Sequence, residues 1–432
     1  MTTLPIFRFG PTEYPYTERL EWYTRIFQSS AGLEERDRLR IHPRRGMEYL
    51  HSALSVPEKL AFDGLIHKHG IGPYLMPLWW HGSRVIFAFS SAGTIFVTIG
   101  ADAVDAGEWQ VDGLTIAEQE IVLIDGDVAF SFTAEVAMVD SDLRVWGFQG
   151  SGELPAGITN NAIAYPARPA RLSPQSVQTA ITSHYQRLPI VAELVDYVAP
   201  DEASGFTAFE SLPLLDYRPD QPVDWQEVAV DFLVGRVDFS VGKVDVTDEA
   251  GRPFFGRSQR YWYIEEPQTL KDHRAFLQEV GGAHGAFWCP TWGQDLDVVA
   301  VSGDTISVRW PDGMTWDDDY QGIAGRGTIY IYGRDGSGAF RILSSVGVTD
   351  GVETLLLSGT PPEEPILCSW LELVRLAFDE VAIQHYSGDV KEIRMAMQGL
   401  TQAEAASTVA SVSLSGGEAV SPTTVAGYVE EE

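Results

Sequence analysis

The sequence predicts a mainly β protein: two tandem copies of one β-sandwich or barrel unit, each with one short helix and an inserted strand-rich domain. Three observations predict it. The phrase His284-Gly285-Ala286-Phe287-Trp288-Cys289-Pro290-Thr291-Trp292 has an earlier counterpart in His69-Gly70 followed by Pro73-Tyr74-Leu75-Met76-Pro77-Leu78-Trp79. Further matches flank both phrases and never change order. Short runs rich in Val, Ile, Thr and aromatic residues recur between Gly and Asp turns, the cadence of a sandwich or barrel.

Self-similarity at a long period marks a repeat architecture. Leu4-Pro5-Ile6 answers Leu212-Pro213-Leu214, and Glu21-Trp22 answers Asp224-Trp225. Arg44 and Tyr49 precede Trp79 at the spacing with which Arg257 and Trp262 precede Trp292. Ser55 and Phe62 answer Thr269 and Phe276, and Ala129-Phe130 answers Ala339-Phe340. Arg171-Leu172 and His184-Tyr185 answer Arg375-Leu376 and His385-Tyr386. The expected units are 1–200 and 201–400, with inserted β-domains over about 83–165 and about 296–365, and a tail over 401–432.

Each copy carries one helix signal. Ser55 with Glu58 three residues on can satisfy two orphan amide donors reciprocally, Pro57 is tolerated in a first turn, and Gly70 is a stop. Thr269 to Asp272 begins the equivalent helix, with Phe276, Leu277 and Val280 as its apolar side and Gly281-Gly282 as its end. Strands are expected at Val85–Phe89, Thr94–Ile99 and Ile121–Ile124, then at Val298–Val301, Thr305–Val308, Thr328–Tyr332 and Thr354–Leu357. Asp125-Gly126, Asp312-Gly313 and Asp335-Gly336 supply turns in which Gly tolerates a positive φ. Val390, Ile393, Met395 and Met397 mark the last strand. From Thr401 the chain turns to Ala, Ser, Thr, Val and Gly and has little to bury, so a neighbouring subunit is expected to hold it.

The charge balance excludes some functions. Thirty Lys and Arg against 61 Asp and Glu leave a net charge of -31 over 432 residues. That opposes phosphate clamping of nucleic acid and binding to an anionic membrane surface. No apolar run is long enough to span a bilayer, and the N-terminus lacks the pattern of a signal peptide. Cys289 and Cys368 are too few for a disulfide framework and sit in apolar contexts, so they read as buried thiols in a reducing cytoplasm.

No residue is nominated as catalytic, cofactor-binding or metal-ligating, and no cofactor is expected. His51, His67, His69 and His81 lie close in sequence but lack a known metal-ligand spacing. Asp317-Asp318-Asp319 lacks the alternation of a calcium loop and reads as a solvated loop. Gly322, Gly325 and Gly327 make no phosphate cradle. Ser173, Ser183 and Ser387 lack a nucleophile-elbow context. The retained residues are Trp, Pro, Gly, Arg and Tyr, a framework set. Trp288, Pro290 and Trp292 are expected in the core.

The order Trp225, Arg257 with Trp262 and Tyr263, a helix, then Gly285-Ala286-Phe287-Trp288-Cys289-Pro290-Thr291-Trp292 and Asp295 resembles the tail-tip virion proteins of long-tailed bacteriophages, including minor tail, distal-tail and hub-type proteins. The first copy departs from the pattern, with Leu78 in place of the Thr and no matching Asp. The resemblance implies a tail-tube-like fold assembled as a ring in the tail tip or baseplate of a virion built in the host cytoplasm, without enzymatic activity. It implies a trimer whose double units mimic six-fold symmetry, with a hexamer as the rival geometry, neighbouring tube and tip proteins as partners, and an acidic channel through which DNA passes without specific binding. The competing reading is a carbohydrate-binding or carbohydrate-cleaving virion protein that uses exposed Trp and Tyr with a pair of acids. A glycan array or hydrolysis assay separates the two.

Overall fold

The computed structural model describes residues 4–400 except 29–33, 54, 101–110, 113–114, 117–118, 141–144, 174–178, 181–185, 196–206, 220–225, 232–233, 238–244, 249–253, 265–266, 312, 324 and 388–389, together with Glu404 and Thr408. The expectations for His184-Tyr185, Asp224-Trp225, Asp312 and nearly all of the 401–432 tail fall outside the described residues.

The first half opens with β1 (Tyr16–Glu21), the hairpin of β2 (Thr24–Gln28) and β3 (Glu34–Arg38), and β4 (Arg44–Ala53). Helix α1 (Val56–His69) and β5 (Tyr74–Pro77) follow. An excursion comprises β6 (Ser83–Ser91), β7 (Thr94–Gly100), β8 (Val111–Asp112), β9 (Thr115–Ile116), β10 (Gln119–Asp125), β11 (Val128–Asp140) and β12 (Val145–Ser151). The chain returns in β13 (Ile163–Leu172), β14 (Thr179–Ala180) and β15 (Gln186–Leu194).

The second half has β16 (Thr207–Phe209), β17 (Leu212–Leu214), β18 (Gln226–Asp231), a hairpin of β19 (Val234–Val237) and β20 (Asp245–Asp248), and β21 (Phe254–Ile264). Then come α2 (Pro267–Val280) and β22 (Phe287–Pro290). Its excursion holds β23 (Asp297–Ser302), β24 (Thr305–Arg309), α3 (Trp316–Asp319), β25 (Thr328–Gly333), β26 (Ser337–Thr349) and β27 (Val352–Leu357). It closes with β28 (Pro365–Leu376), β29 (Glu380–His385) and β30 (Val390–Gly399). The protein is mainly β, and no helix among the described residues is long and apolar enough to cross a membrane.

Strands pair in the same order in both halves. The first frame runs β5–β13–β15–β4–β1, with a parallel bridge from Ile6 to Leu75 on β5. The second runs β22–β28–β30–β21–β18, with β17 parallel to β22 through Leu214 and Trp288. Even the bridging bonds correspond: Phe7 N–H donates to the Leu75 carbonyl at 2.9 Å, and Leu215 N–H to the Trp288 carbonyl at 2.8 Å. The excursions run β6–β7–β12–β11–β10 back to β13, and β23–β24–β27–β26–β25 back to β28. β13 and β28 each serve both a frame and an excursion. β28 therefore reads as an almost continuous buried run, as a strand covered on both faces must.

Local chemistry accounts for the elements. Ser55 caps α1 through its Oγ, which accepts the Glu58 N–H at 3.2 Å. Gly70 N–H closes the helix on the Ile66 carbonyl, and Gly281 N–H closes α2 on the Leu277 carbonyl. β7 alternates strictly between buried and half-buried residues, burying Ile95, Val97 and Ile99. Gly126 and Gly336 hold positive φ in the β10–β11 and β25–β26 turns.

Several sequence matches shift once strand register is known. Arg44 is exposed at the start of β4, whereas Arg257 is 7% exposed and its Nη2 lies 2.5 Å from Glu372 Oε2. Tyr49 points into its core, while Trp262 lies on the opposite face from buried Tyr261 and Tyr263. The register pairs Tyr49 with Ile190 and Gln259 with Met395, so Gln259 takes the place of Tyr49. His69 is the last residue of α1, but His284 lies beyond the Gly281 stop of α2. The Asp317–Asp319 run is a single helical turn rather than a loop. Thr315 caps it by accepting the Asp318 N–H at 3.1 Å, and three carboxylates suit a helix N-terminus.

Candidate functional site

The most distinctive feature of the described residues is the junction between the first and second halves of the chain. β1 pairs on one edge with β4 of its own half and on the other with β29 of the second half, from Tyr16 opposite His385 to Glu21 opposite Glu380. Tyr16, Glu18 and Leu20 share one face of β1, and all three are buried. Leu20 and the following Trp22 belong to the core cluster of the second half, beside Phe276, Leu277, Val381 and Ile383.

Glu18 lies at the centre of that face with its side chain fully buried. One carboxylate oxygen lies 2.7 Å from Arg45 Nη2, and the other binds Arg274 of α2 and His385 Nε2, the latter at 3.3 Å. One anion is therefore gripped by a guanidinium from each half. His385 packs against Tyr16 (centroids 5.0 Å, 8°) and Trp80 (5.2 Å, 20°), whose own rings lie 6.1 Å apart. Burial pushes the His385 pKa down to about 4 despite the opposing pull of Glu18, so at neutral pH the ring is uncharged.

The hairpin of β2 and β3 extends the grip. Asp379, in the bend before β29, accepts Thr24 N–H at 2.6 Å, Thr24 Oγ1 at 2.7 Å and Ala283 N–H at 3.0 Å. Arg38 donates to the Gln278 carbonyl at 3.1 Å, and Arg36 donates to the Ala283 carbonyl. These bonds satisfy carbonyls around the C-terminus of α2, where cations are also favoured by the helix dipole. Gly282 makes the closeness workable. Its φ is +73°, and a Cβ there would lie 2.7 Å from both Asp379 Oδ1 and Trp22 Cβ.

The histidines flagged by proximity in sequence do not converge. His51 and His81 are buried on separate elements, His51 Nδ1 lies 2.7 Å from the Gly10 carbonyl, and His67 and His69 sit in the last turn of α1. Among the described residues, no three potential ligands come together as a metal site. Trp288 and Trp292 are 5% and 2% exposed, and Trp292 meets Tyr330 edge-on at 5.3 Å. Both cysteines are buried, and burial pushes the Cys289 thiol up to about 12 and the Cys368 thiol up as well.

Sequence reasoning did not single out Glu18, Arg45 or Arg274, and found His385 only as half of a repeated His-Tyr. One signal was present: a carboxylate in an alternating stripe of Tyr16, Leu20 and Trp22. At the junction, strand edges, a clasping hairpin and a buried ionic lock fix one relative placement of the two halves. No family model matches the chain, and no curated protein matches it.

Proposed function

We propose that this chain is a structural ring protein of a long-tailed bacteriophage tail tip or baseplate, made of two tandem copies of a tube-like unit. The observation that carries the reading is the pairing of β1 with β29: two units of the same strand order, joined edge to edge in a head-to-tail sense. A head-to-tail contact between like units propagates until it closes as a ring or runs on as a filament. Three chains would present six similar units, which adapts a six-fold tail tube to a three-fold tip. The net charge of -31 supports an acidic lumen that lets DNA pass without adhering. In this reading the chain works in the virion, between tube and tip proteins, and carries out no catalysis.

The test is the mass and symmetry of the purified full-length protein by native mass spectrometry and electron microscopy. A closed trimer, with a channel lined by carboxylates, is the expected result. A monomer at all concentrations, or a channel lined by Lys and Arg, overturns the proposal.

A further inference from the structure

The intrachain junction is a template for a second junction that this chain leaves open. The strand registers give the correspondence. Thr17 pairs with Glu48 and Glu227 with Ser258, so β18 holds in the second half the place of β1 in the first. Gln384 pairs with Glu392 on β30, and Thr179 pairs with Arg187 on β15, so β14 holds the place of β29. Within the chain, β1 lies on β29. Among the described residues, β18 pairs only with β21, and β14 only with β15.

Exposure shows the same asymmetry. At the end of α2, covered by the hairpin of β2 and β3, Leu277, Gly281, Gly282 and Ala283 are all buried. At the matching end of α1, Ile66 is only half-buried, Gly70 is exposed, and Ile71 is 52% exposed. Leu60, on the same helix, is 63% exposed. One helix end is clasped and its counterpart is bare. The chain also carries a second hairpin at the matching point in its strand order. β19 and β20 follow β18 as β2 and β3 follow β1, and β20 carries Asp245 and Asp248, while the last turn of α1 carries His67, Lys68 and His69.

We infer that the occupant of this open surface is a second copy of the chain: β18 of one copy pairs antiparallel with β14 of the next, and its β19–β20 hairpin closes over the end of that copy's α1. The inference rests on the ring reading and supplies its interface. Carrying over the register in which Thr17 faces Gln384 and Tyr16 faces His385 places Glu227 of one copy opposite Thr179 of the next, and Gln226 opposite Ala180. An unpaired strand edge is a standing template for such augmentation.

The buried charges decide which edges can meet. Val228 stands where Glu18 stands in the first half, and Asp63 of α1 stands where Arg274 stands in α2. If β1 of one copy paired with β14 of another, Glu18 would lose Arg274 and face Asp63. If β18 paired with β29, Arg274 would lose the Glu18 carboxylate. Breaking a buried pair in either way is strongly unfavourable. Alternation of first and second halves around the ring is the arrangement that keeps the Glu18 lock intact.

The experiment mixes two single variants of the full-length protein, Thr179→Cys and Glu227→Cys, under mild oxidation. Thr17→Cys with Gln384→Cys in one chain serves as the control for crosslinking in this register. The native thiols are buried, so they stay out of the reaction. The expected result is a disulfide-linked heterodimer from the mixture, little product from either variant alone, and a ladder ending at the closed ring when one chain carries both substitutions. An oligomer of the expected mass that gives no mixed crosslink, or that links Thr179→Cys to itself, overturns the interface and leaves the ring reading standing. A protein that stays monomeric overturns both.

Discussion

Replacing Glu18 with Leu removes the carboxylate that Arg45 and Arg274 share, two guanidiniums that the fold has already desolvated. The side chains of Arg45 and Arg274 are 15% and 12% exposed, so neither can recover full hydration unless the junction opens. Breaking a buried ion pair by removing one partner costs about 3–5 kcal/mol, because a charge is left without compensation. Here two cations remain, brought close by the anion that held them, and His385 loses its acceptor. Against a domain stability of about 5–15 kcal/mol, that is roughly a fifth or more of the total. A triple variant, Glu18→Leu with Arg45→Met and Arg274→Met, removes the charges together. It should return to within about 1 kcal/mol of the parent, since apolar replacement of a whole buried ionic group is often neutral or stabilising. Urea unfolding followed by tryptophan fluorescence reads both variants, because Trp22 and Trp80 flank the junction. A Glu18→Leu protein as stable as the parent, or a triple variant no better than the single one, would refute the reasoning.

Three further outcomes follow from the same geometry. Trp22→Ala, a change in the first half, should cost about 3–5 kcal/mol, and faster amide exchange should appear along α2 rather than α1, because Trp22 packs in the second core; faster exchange in α1 alone would contradict this. Burial lowers the pKa of His273 to about 3 and of His385 to about 4, so between the ordinary value of 6.5 and those values the unfolded chain binds protons that the folded chain refuses. Stability contributed by the neutral rings is therefore fully present above pH 6.5 and falls as the solution is acidified, by roughly 1.4 kcal/mol per pH unit for each histidine; an unfolding midpoint unchanged between pH 7 and pH 5 would count against it. Gly282→Ala forces a Cβ into a left-handed backbone position against Asp379 and Trp22 and should lower the melting temperature, whereas the same change at Gly70, where a Cβ meets nothing within 4 Å, should cost only the backbone term.

The strand-rich character was legible in the sequence because Val, Ile and Thr alternate at positions such as Ile95, Val97 and Ile99, and the helix boundaries were legible because capping chemistry is local. Ser55 and Gly70 do what their positions imply. Which residues of the two halves hold matching strand positions was less legible. Tyr261, Trp262 and Tyr263 are consecutive, so a match by spacing can choose the aromatic on the wrong face, and only the pairing of Tyr261 with Ile393 and of His51 with Leu188 fixes which residues correspond. The His-Gly match failed similarly, because a dipeptide carries no information about whether it ends a helix or follows one. The junction was almost invisible. Glu18 and His385 are brought together by a strand edge from one half meeting a strand edge from the other, a contact that leaves no local periodicity beyond one acidic residue in an apolar stripe.

The placement of the ionic lock inside the chain has a physical logic. A buried carboxylate between two guanidiniums is a poor source of net affinity, since desolvation offsets most of the attraction. It is a strong source of discrimination, since any other partner leaves a charge uncompensated. The two halves are tethered, and tethering raises their effective concentration far above that of separate molecules. The β1–β29 junction therefore needs little intrinsic affinity and can use its centre for selectivity. A contact between separate chains has no such tether and must draw on buried apolar surface. The sequence fits that division: Val228 replaces Glu18 on the corresponding strand, and Leu60 on α1 and Ile71 just past its end remain exposed. Exchanging the two, with Glu18→Val and Val228→Glu in one chain, should weaken the intrachain junction without creating an equivalent lock between chains, because Asp63 rather than an arginine waits at the second site. Assembly measured by native mass spectrometry should fall in that variant. Retention of full assembly would show that the charges at the first junction do not select its partner.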